Sequence, residues 1–280
     1  MTQEPNGRAP LDFVRIATEL AGLPVPLRVE IEQETASTNA IVVERARAGE
    51  AEGLVLATEH QTAGRGRLDR TWETPARSAL TFSVLLRPPA EVPTERWPWL
   101  PLMTGLAVAE TLREEGFLAG VKWPNDVLVH TADGERKVCG ILVERIEAPT
   151  GSTSEVGPAA VIGIGLNTSQ RAGEIPVETG TSLELLSAAP VDRSTLLARL
   201  LRRLLDRYGD WQVDPDGLAA AYSAASVTLG REIRAELPGG DALLGTAVAI
   251  DPIGRLVVRT PEGESAVGAG DVVHVRPVTG

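Results

Sequence analysis

Apolar and polar positions alternate along this chain with two periods, and where the period changes the chain is organised differently. Near the amino terminus one short amphipathic stretch, LDFVRIATELAG, carries apolar residues at helical spacing within a Pro- and Gly-containing, charged segment ending near Arg28. VEIEQETAST reads as a strand running into a helix cap, since Ser37, Thr38 and Asn39 can each accept from a free helix N–H. NAIVVERARAG continues with helical periodicity and stops at Gly49. GLVLAT and ALTFSVLLRP are apolar strands on either side of a basic loop, the second closed by Pro88 and Pro89. WPWLPLMTGLAVAETLREEG places apolar residues three and four apart, as in a buried helix that Gly116 ends. VKWPNDVLV reads as one strand interrupted by a Trp-Pro bend, paired as a hairpin with RKVCGILVERI. After a Gly/Ser/Thr-rich linker at 150–157, AAVIGIGLNTS is a further buried strand. RSTLLARLLRRLLDRYGDW is a long amphipathic helix, with Ser194 able to cap its start and Gly209 near its end.

From Gly230 the period shortens to five brief alternating strands, REIRAEL, LLGTAVAI, RLVVRT, ESAV and VVHVRP, joined by turns such as DPIG and PEG. That spacing predicts a small barrel of SH3-like type. The expected fold is α+β: an N-terminal tail over 1–28, a mixed central sheet with packed helices over 29–228, and the barrel over 229–280.

Composition narrows the chemistry. The chain is acidic, with a formal net charge of -11, so a phosphodiester backbone is repelled except where basic residues gather locally; nucleic acid is not an expected partner. One cysteine, Cys139, excludes an internal disulfide framework, and three scattered histidines offer no metal-ligand spacing. Cys139 on its apolar strand reads as a core filler and His60 as structural. Neither an export signal nor a run of roughly 20 apolar residues occurs, so a cytoplasmic protein without a membrane anchor is expected.

Against this background GRGRLDR stands out. Arg65, Arg67, Arg70 and Arg77 against Asp69 and Glu73 leave this stretch at +2 (four minus two) inside a strongly acidic chain. Arginine forks with glycines that let backbone N–H groups approach closely make an anion clamp, although a solvated surface loop has the same composition. No G-x-x-x-x-G-K-[ST] occurs, and GIGLNT carries Thr168 where a dinucleotide fingerprint requires its third glycine. Lys122 and Lys137 interrupt apolar strands: two cations facing one pocket would favour an anionic intermediate, whereas either alone is compatible with a snorkelling edge residue. Asn125 and Asp126 can orient those cations or a metal, or make an Asx turn.

The ordered blocks STN (37–39), HQTAGRGR (60–67), Trp72, KWPND (122–126), RKVCGILVE (136–144) and IGIGLN (162–167) resemble the signature of the biotin protein ligases. The resemblance runs from about residue 30 to the end. It implies a class II synthetase-like fold of the biotin/lipoate ligase type, and synthesis of biotinyl-5'-AMP from biotin and ATP with Mg²⁺. Biotin would then pass to a lysine of the biotin carboxyl carrier domains of acyl-CoA carboxylases. Carried over residue by residue, Lys137, Arg65 and Arg67 would be catalytic. Ser37, Thr38, Asn39, Gln61, Gly64, Arg65, Trp72, Lys137, Gly140, Leu142, Gly163 and Gly165 would form the biotin site. Arg67, Lys122, Asn125, Asp126 and Asn167 would hold ATP and the adenylate, with Asp126 also a Mg²⁺ partner. Some relatives carry a DNA-binding domain; only about 30 residues precede the first block here, so a monofunctional ligase without repressor activity is expected, as monomer or homodimer. Some also cover the adenine with an aromatic residue after the IGIGLN block, but SQRAGEIPVETG contains none. Three other readings compete: a lipoate or octanoate ligase of the same superfamily, a non-catalytic RNA- or anion-binding module, and a peptide-binding adaptor built on the terminal barrel.

Overall fold

A computed structural model describes residues 7–23, 26–68, 70–148, 157–237, 240–268 and 270–274. Asp69, most of the 150–157 linker, the first six residues and the end of the last expected strand lie outside that set. Seven strands form the large sheet in the order β1-β2-β3-β7-β6-β5-β4: β1 Arg28–Glu32, β2 Leu54–Thr58, β3 Ala79–Leu86, β4 Ala119–Lys122, β5 Asp126–Thr131, β6 Gly134–Ile146 and β7 Ala159–Asn167. Only β1 and β2 run parallel; every other neighbouring pair is antiparallel. Alternation along a strand sends successive side chains to opposite faces. Val55 and Ala57 accordingly join the main core while Leu54 and Leu56 join a second cluster with Val42, Val43 and Ala46 of α2 (Thr38–Arg47). A sheet covered on both faces needs continuously apolar strands, which is how β2 and β3 read.

The main core lies between the sheet and α3 (Trp99–Glu114), on which α5 (Arg193–Val213) packs after the short α4 (Leu183–Ser187). Buried leucines 197, 200, 201 and 204 of α5 form one stripe, each contributing about 1.5–3 kcal/mol by leaving water. The cap of α5 is Asp192, which accepts from Ser194 and Thr195 N–H, rather than Ser194. The helix also continues through Gly209, because Tyr208 and Trp211 extend the buried stripe and hold the next turn in place. A helix absent from the pattern reading, α6 (Pro215–Ala225), follows at once. The segment read as a tail contributes α1 (Phe13–Glu19) and buries Leu11, Ile16 and Leu20 in the main core.

The KWPND stretch is not one bent strand. Across the Trp123–Pro124 peptide, which is cis, the chain reverses, so β4 and β5 are antiparallel neighbours with Lys122 opposite Asp126. Beyond α6 come β8 Glu232–Glu236, β9 Ala242–Ile250, β10 Leu256–Thr260, β11 Gly263–Val267 and β12 Asp271–His274, an antiparallel sheet in the order β11-β10-β9-β8-β12. All five expected strands are present. Ile233, Ala247, Leu256 and Val258 bury their inner face against the main core, and Trp123 donates from Nε1 to Gly254 O at 3.1 Å, stitching the KWPND hairpin to the terminal sheet. Among the described residues no helix is long and apolar enough to cross a membrane.

Candidate active site

A cavity of about 410 Å³ opens beside the start of α2, between β6, β7, the basic loop and the β4–β5 hairpin. Every residue that the resemblance assigns to the catalytic, biotin or ATP site lines it except Gly64. Gly64 sits behind the wall, where a Cβ would fall 2.2 Å from Trp72 O and 2.7 Å from Gln61 Nε2, so it lets the loop turn back on itself without facing the cavity.

One end is small, polar and rigid. Ser37 caps α2, accepting from Ala40 N–H. Gln61 Oε1 accepts from Thr38 N–H at 2.8 Å, and Ser83 donates its one proton to Asn39 Oδ1 (2.5 Å) with its oxygen 2.8 Å from Thr38 Oγ1. Asn39 spends its remaining amide protons on Leu142 O and the Glu144 carboxylate, at 3.3 and 2.9 Å. Two glycines of β7 admit this arrangement. A Cβ on Gly163 would lie 2.2 Å from Asn39 Oδ1, and one on Gly165 would lie 2.4 Å from the Trp72 ring. Gly140 on the neighbouring strand leaves the same kind of space, with Trp72 at 3.2 Å and Lys137 Nζ at 3.3 Å from its would-be Cβ. Trp72 thus lies flat on backbone, and its Nε1 is buried with no hydrogen-bond partner, an unused donor in the wall of the cavity.

The other end is charged. Lys137 Nζ lies 2.6 Å from Asp126 Oδ1 and 6.0 Å from the Trp72 ring centroid. The approach to Asp126 is an ion pair off the hydrogen-bonding direction, and Oδ1 has no directed hydrogen bond. Burial pushes the Lys122 ammonium below its ordinary range, and the neighbouring Lys137 charge adds to the effect against the pull of Asp126. Burial likewise lowers Arg67, opposed by Asp271 and Asp126. Two desolvated cations lining one cavity with Lys137 make a region where an added anion gains more than in water.

Asn125 orients the hairpin: its Nδ2 donates to Ile141 O (2.9 Å) and its Oδ1 accepts from Arg67 (2.9 Å). Asn167 donates to Thr181 O at 3.0 Å and accepts from Gln170 at 2.8 Å. Arg65 faces the cavity but pairs with Glu144 at 2.9 Å. Among the described residues no three acidic, His or Cys side chains gather as a metal cage. Cys139 is fully buried, and its thiol is pushed far up by burial, so it is inert packing.

Three contributors escaped sequence reading. Asp271, from the first position of β12, lines the cavity and pairs with Arg70 and with Arg67, the latter at 3.8 Å. Gln170 braces Asn167. Residues 175–180 form a wall whose C-terminal end clasps Lys137: Lys137 N–H donates to Thr179 O and Thr181 N–H donates to Lys137 O, both at 2.8 Å. No local pattern announces these contacts; the loop presents aliphatic Ile175, Pro176 and Val177 to the cavity and carries no aromatic residue.

Residues 32–167 match the model of the biotin/lipoate A/B protein ligase family, and residues 228–275 match the biotin protein ligase C terminal domain. The biotin--[acetyl-CoA-carboxylase] ligase of Mycobacterium tuberculosis is 39% identical over 282 residues, covering 99% of this chain and 100% of that protein. The chain belongs to the biotin protein ligase family. The bifunctional ligase/repressor BirA of Bacillus subtilis is 30% identical over 79% of this chain and 66% of its own length. Among solved structures, biotin protein ligase from Aquifex aeolicus in complex with biotin and ATP superposes with a TM-score of 0.72 at 29% identity, covering 89% of this chain and 99% of that one. In this member of the family the six blocks read from the sequence meet around one cavity.

Proposed function

We propose that this protein is an ATP-dependent biotin ligase that forms biotinyl-5'-AMP and transfers biotin to a lysine of a carboxylase carrier domain. The observation that carries this reading is the cavity's two-ended design: a neutral, preorganised amide-and-hydroxyl end beside a desolvated cationic end, joined by a tryptophan lying on glycine backbone. The ureido ring of biotin is uncharged and needs paired donors and acceptors, which Ser37, Thr38, Asn39 and Gln61 supply. Trp72, Leu142 and the bare backbone at Gly140, Gly163 and Gly165 sandwich its apolar rings and tail.

In the first step a carboxylate oxygen of biotin attacks the α-phosphorus of ATP and pyrophosphate leaves. Bringing two anions together is the main obstacle, so fixed cations are the main catalytic requirement. Lys137 stands between the two ends and holds the carboxylate and α-phosphate together, exchanging Asp126 for them. Arg65 and Arg67 leave Glu144 and Asp271 to close over the adenylate, while Lys122, Asn125 and Asn167 take the nucleotide side. Asp126 and the incoming phosphates fit Mg²⁺, which binds through one or two carboxylates plus phosphate oxygens rather than an all-protein cage. The ion when bound supplies charge neutralisation at the phosphates. In the second step the neutral amine of the acceptor lysine attacks the acyl carbon and AMP departs. The catalytic unit is read as residues 29–228 and the terminal module as 229–280.

Biotin-dependent ATP–pyrophosphate exchange tests this, with lipoate as the control substrate. Lys137→Ala is expected to lower exchange by about 10²–10³-fold, the usual loss for one preorganised charge in a dry site. Absence of exchange with biotin would refute the ligase reading, and exchange with lipoate alone would reassign the substrate.

A further inference from the structure

The segment from Arg8 to Asp12 runs over one end of the large sheet and is fastened on several sides. Leu11 N–H donates to Glu59 at 2.5 Å, Asp12 N–H donates to Ser194 Oγ at 2.9 Å, and Ala9 O accepts from Arg193 at 2.7 Å. Glu59 and Arg193 are themselves an ion pair at 2.7 Å, with side chains only 2% and 6% exposed. A pair taken so completely out of water persists only if its remaining protons and lone pairs are satisfied. The strap supplies part of that satisfaction, and Ala79 O, accepting from Arg193 at 3.1 Å, supplies more.

At the start of the strap Arg8, 8% exposed, reaches the turn that follows β7. Its guanidinium donates to Ser169 O at 2.7 Å and to Glu174 Oε2 at 2.5 Å. Glu174 also accepts from Arg171 N–H at 2.8 Å, so one carboxylate ties the strap to the turn and the turn to itself. From there the chain passes through Ile175, Pro176 and Val177 on the cavity wall to Thr179, whose carbonyl holds the Lys137 N–H. One end of this wall is therefore fixed by the catalytic strand and the other by a buried arginine from far outside the site.

We infer that Arg8 is a positioning residue for the adenylate end of the site: through Ser169 and Glu174 it holds the 169–180 wall against Asn167 and Lys137. As a statement about catalysis this rests on the ligase reading above. Arg8 does not line the cavity. Its loss acts by letting the wall drift from the nucleotide while the amide-and-hydroxyl pocket beside α2 stays intact.

The test compares wild type with Arg8→Ala, Arg8→Lys and Glu174→Ala in pyrophosphate exchange and in biotin binding. Arg8→Ala and Glu174→Ala are each expected to raise the KM for ATP by about 5- to 20-fold, because sub-ångström to ångström displacements far from the chemistry cost up to about a hundredfold. Biotin affinity is expected to stay within about twofold, and Arg8→Lys to restore most of the ATP effect by keeping one charged hydrogen bond. A second readout needs no activity: trypsin cleavage after Arg171 in the ligand-free protein should be several-fold faster in Arg8→Ala. An unchanged KM for ATP with unchanged cleavage overturns the inference, as does an equal loss of affinity for both ligands. Faster cleavage in a protein whose wild type shows no biotin-dependent exchange would keep the anchoring and refute the ligase reading instead. Glu174, whose side chain is 23% exposed, carries the same test if Arg8→Ala does not fold.

Discussion

Gly165→Ala isolates the contact between Trp72 and the β7 backbone. The new Cβ would stand 2.4, 2.6 and 2.7 Å from three atoms of the Trp72 indole, whereas unstrained carbon contacts lie at about 3.5–4.0 Å. Gly165 is held between β3 and β6 by ladders on both sides, opposite Thr81 and Gly140, so the strand cannot retreat. The rigid ring must therefore move by about 1 Å or more. Trp72 belongs to a loop and is only half-buried, so the ring can lift off without opening the core. The damage falls on function: a wall misplaced by about 1 Å costs about 10²-fold in kcat/KM for biotin, or about 2.7 kcal/mol, with thermal stability nearly unchanged. Gly163→Ala provides the contrast. Its Cβ would meet Asn39 Oδ1 at 2.2 Å, and Asn39 is 4% exposed and engaged by Ser83, Leu142 and Glu144, so this clash breaks a buried network and costs about 1–3 kcal/mol of stability as well. Steady-state exchange kinetics with biotin as the varied substrate, together with thermal melts of both variants, measure the two effects. A Gly165→Ala protein with kcat/KM for biotin within twofold of wild type would refute the reasoning.

Two further outcomes are expected. Asp271→Ala leaves Arg67 and Arg70 without their shared carboxylate, so trypsin should cut the ligand-free loop several-fold faster; an unchanged rate would mean the pairing does not hold the loop. His274 faces Thr228, Arg231, Glu135 and Lys122, and burial, with Lys122 and Arg231 adding to it, lowers it to about 4. A base whose folded pKa is depressed stabilises the fold while neutral, so its contribution is complete above the unfolded value of about 6.5 and is lost as pH falls toward about 4. His274→Gln should therefore flatten the fall in urea midpoint between pH 7 and 4.5, and an identical slope in both proteins would contradict this.

Much of the fold and site was legible because local chemistry and position in the fold agree. The buried strands announced themselves by unbroken apolar runs, and Lys122 and Lys137 by interrupting such runs. What stayed hidden depended on pairing. A Trp-Pro bend and a full reversal leave the same local pattern, and only Lys122 facing Asp126 tells them apart. Gly209 looks like a stop until Tyr208 and Trp211 are seen to find a core. Asp214 with Pro215 was a readable helix start for α6 that apolar periodicity alone passed over. Arg8 and Asp271 escaped because each meets its partner across the fold, and an isolated charged residue looks the same in sequence whether it faces water or an opposite charge.

The clasp between Arg70 and Asp271 joins residues 201 positions apart. On a ribosome adding about 5–20 residues per second, roughly 10–40 s separate the emergence of the two. Throughout that interval the central sheet, rich in neighbouring-strand contacts, can close while the arginine loop still lacks its last fastening. Closing so long a span is among the slow, late events of folding. The arginine loop thus gains this fastening only once β12 has been made, long after the loop itself and the strands that flank it.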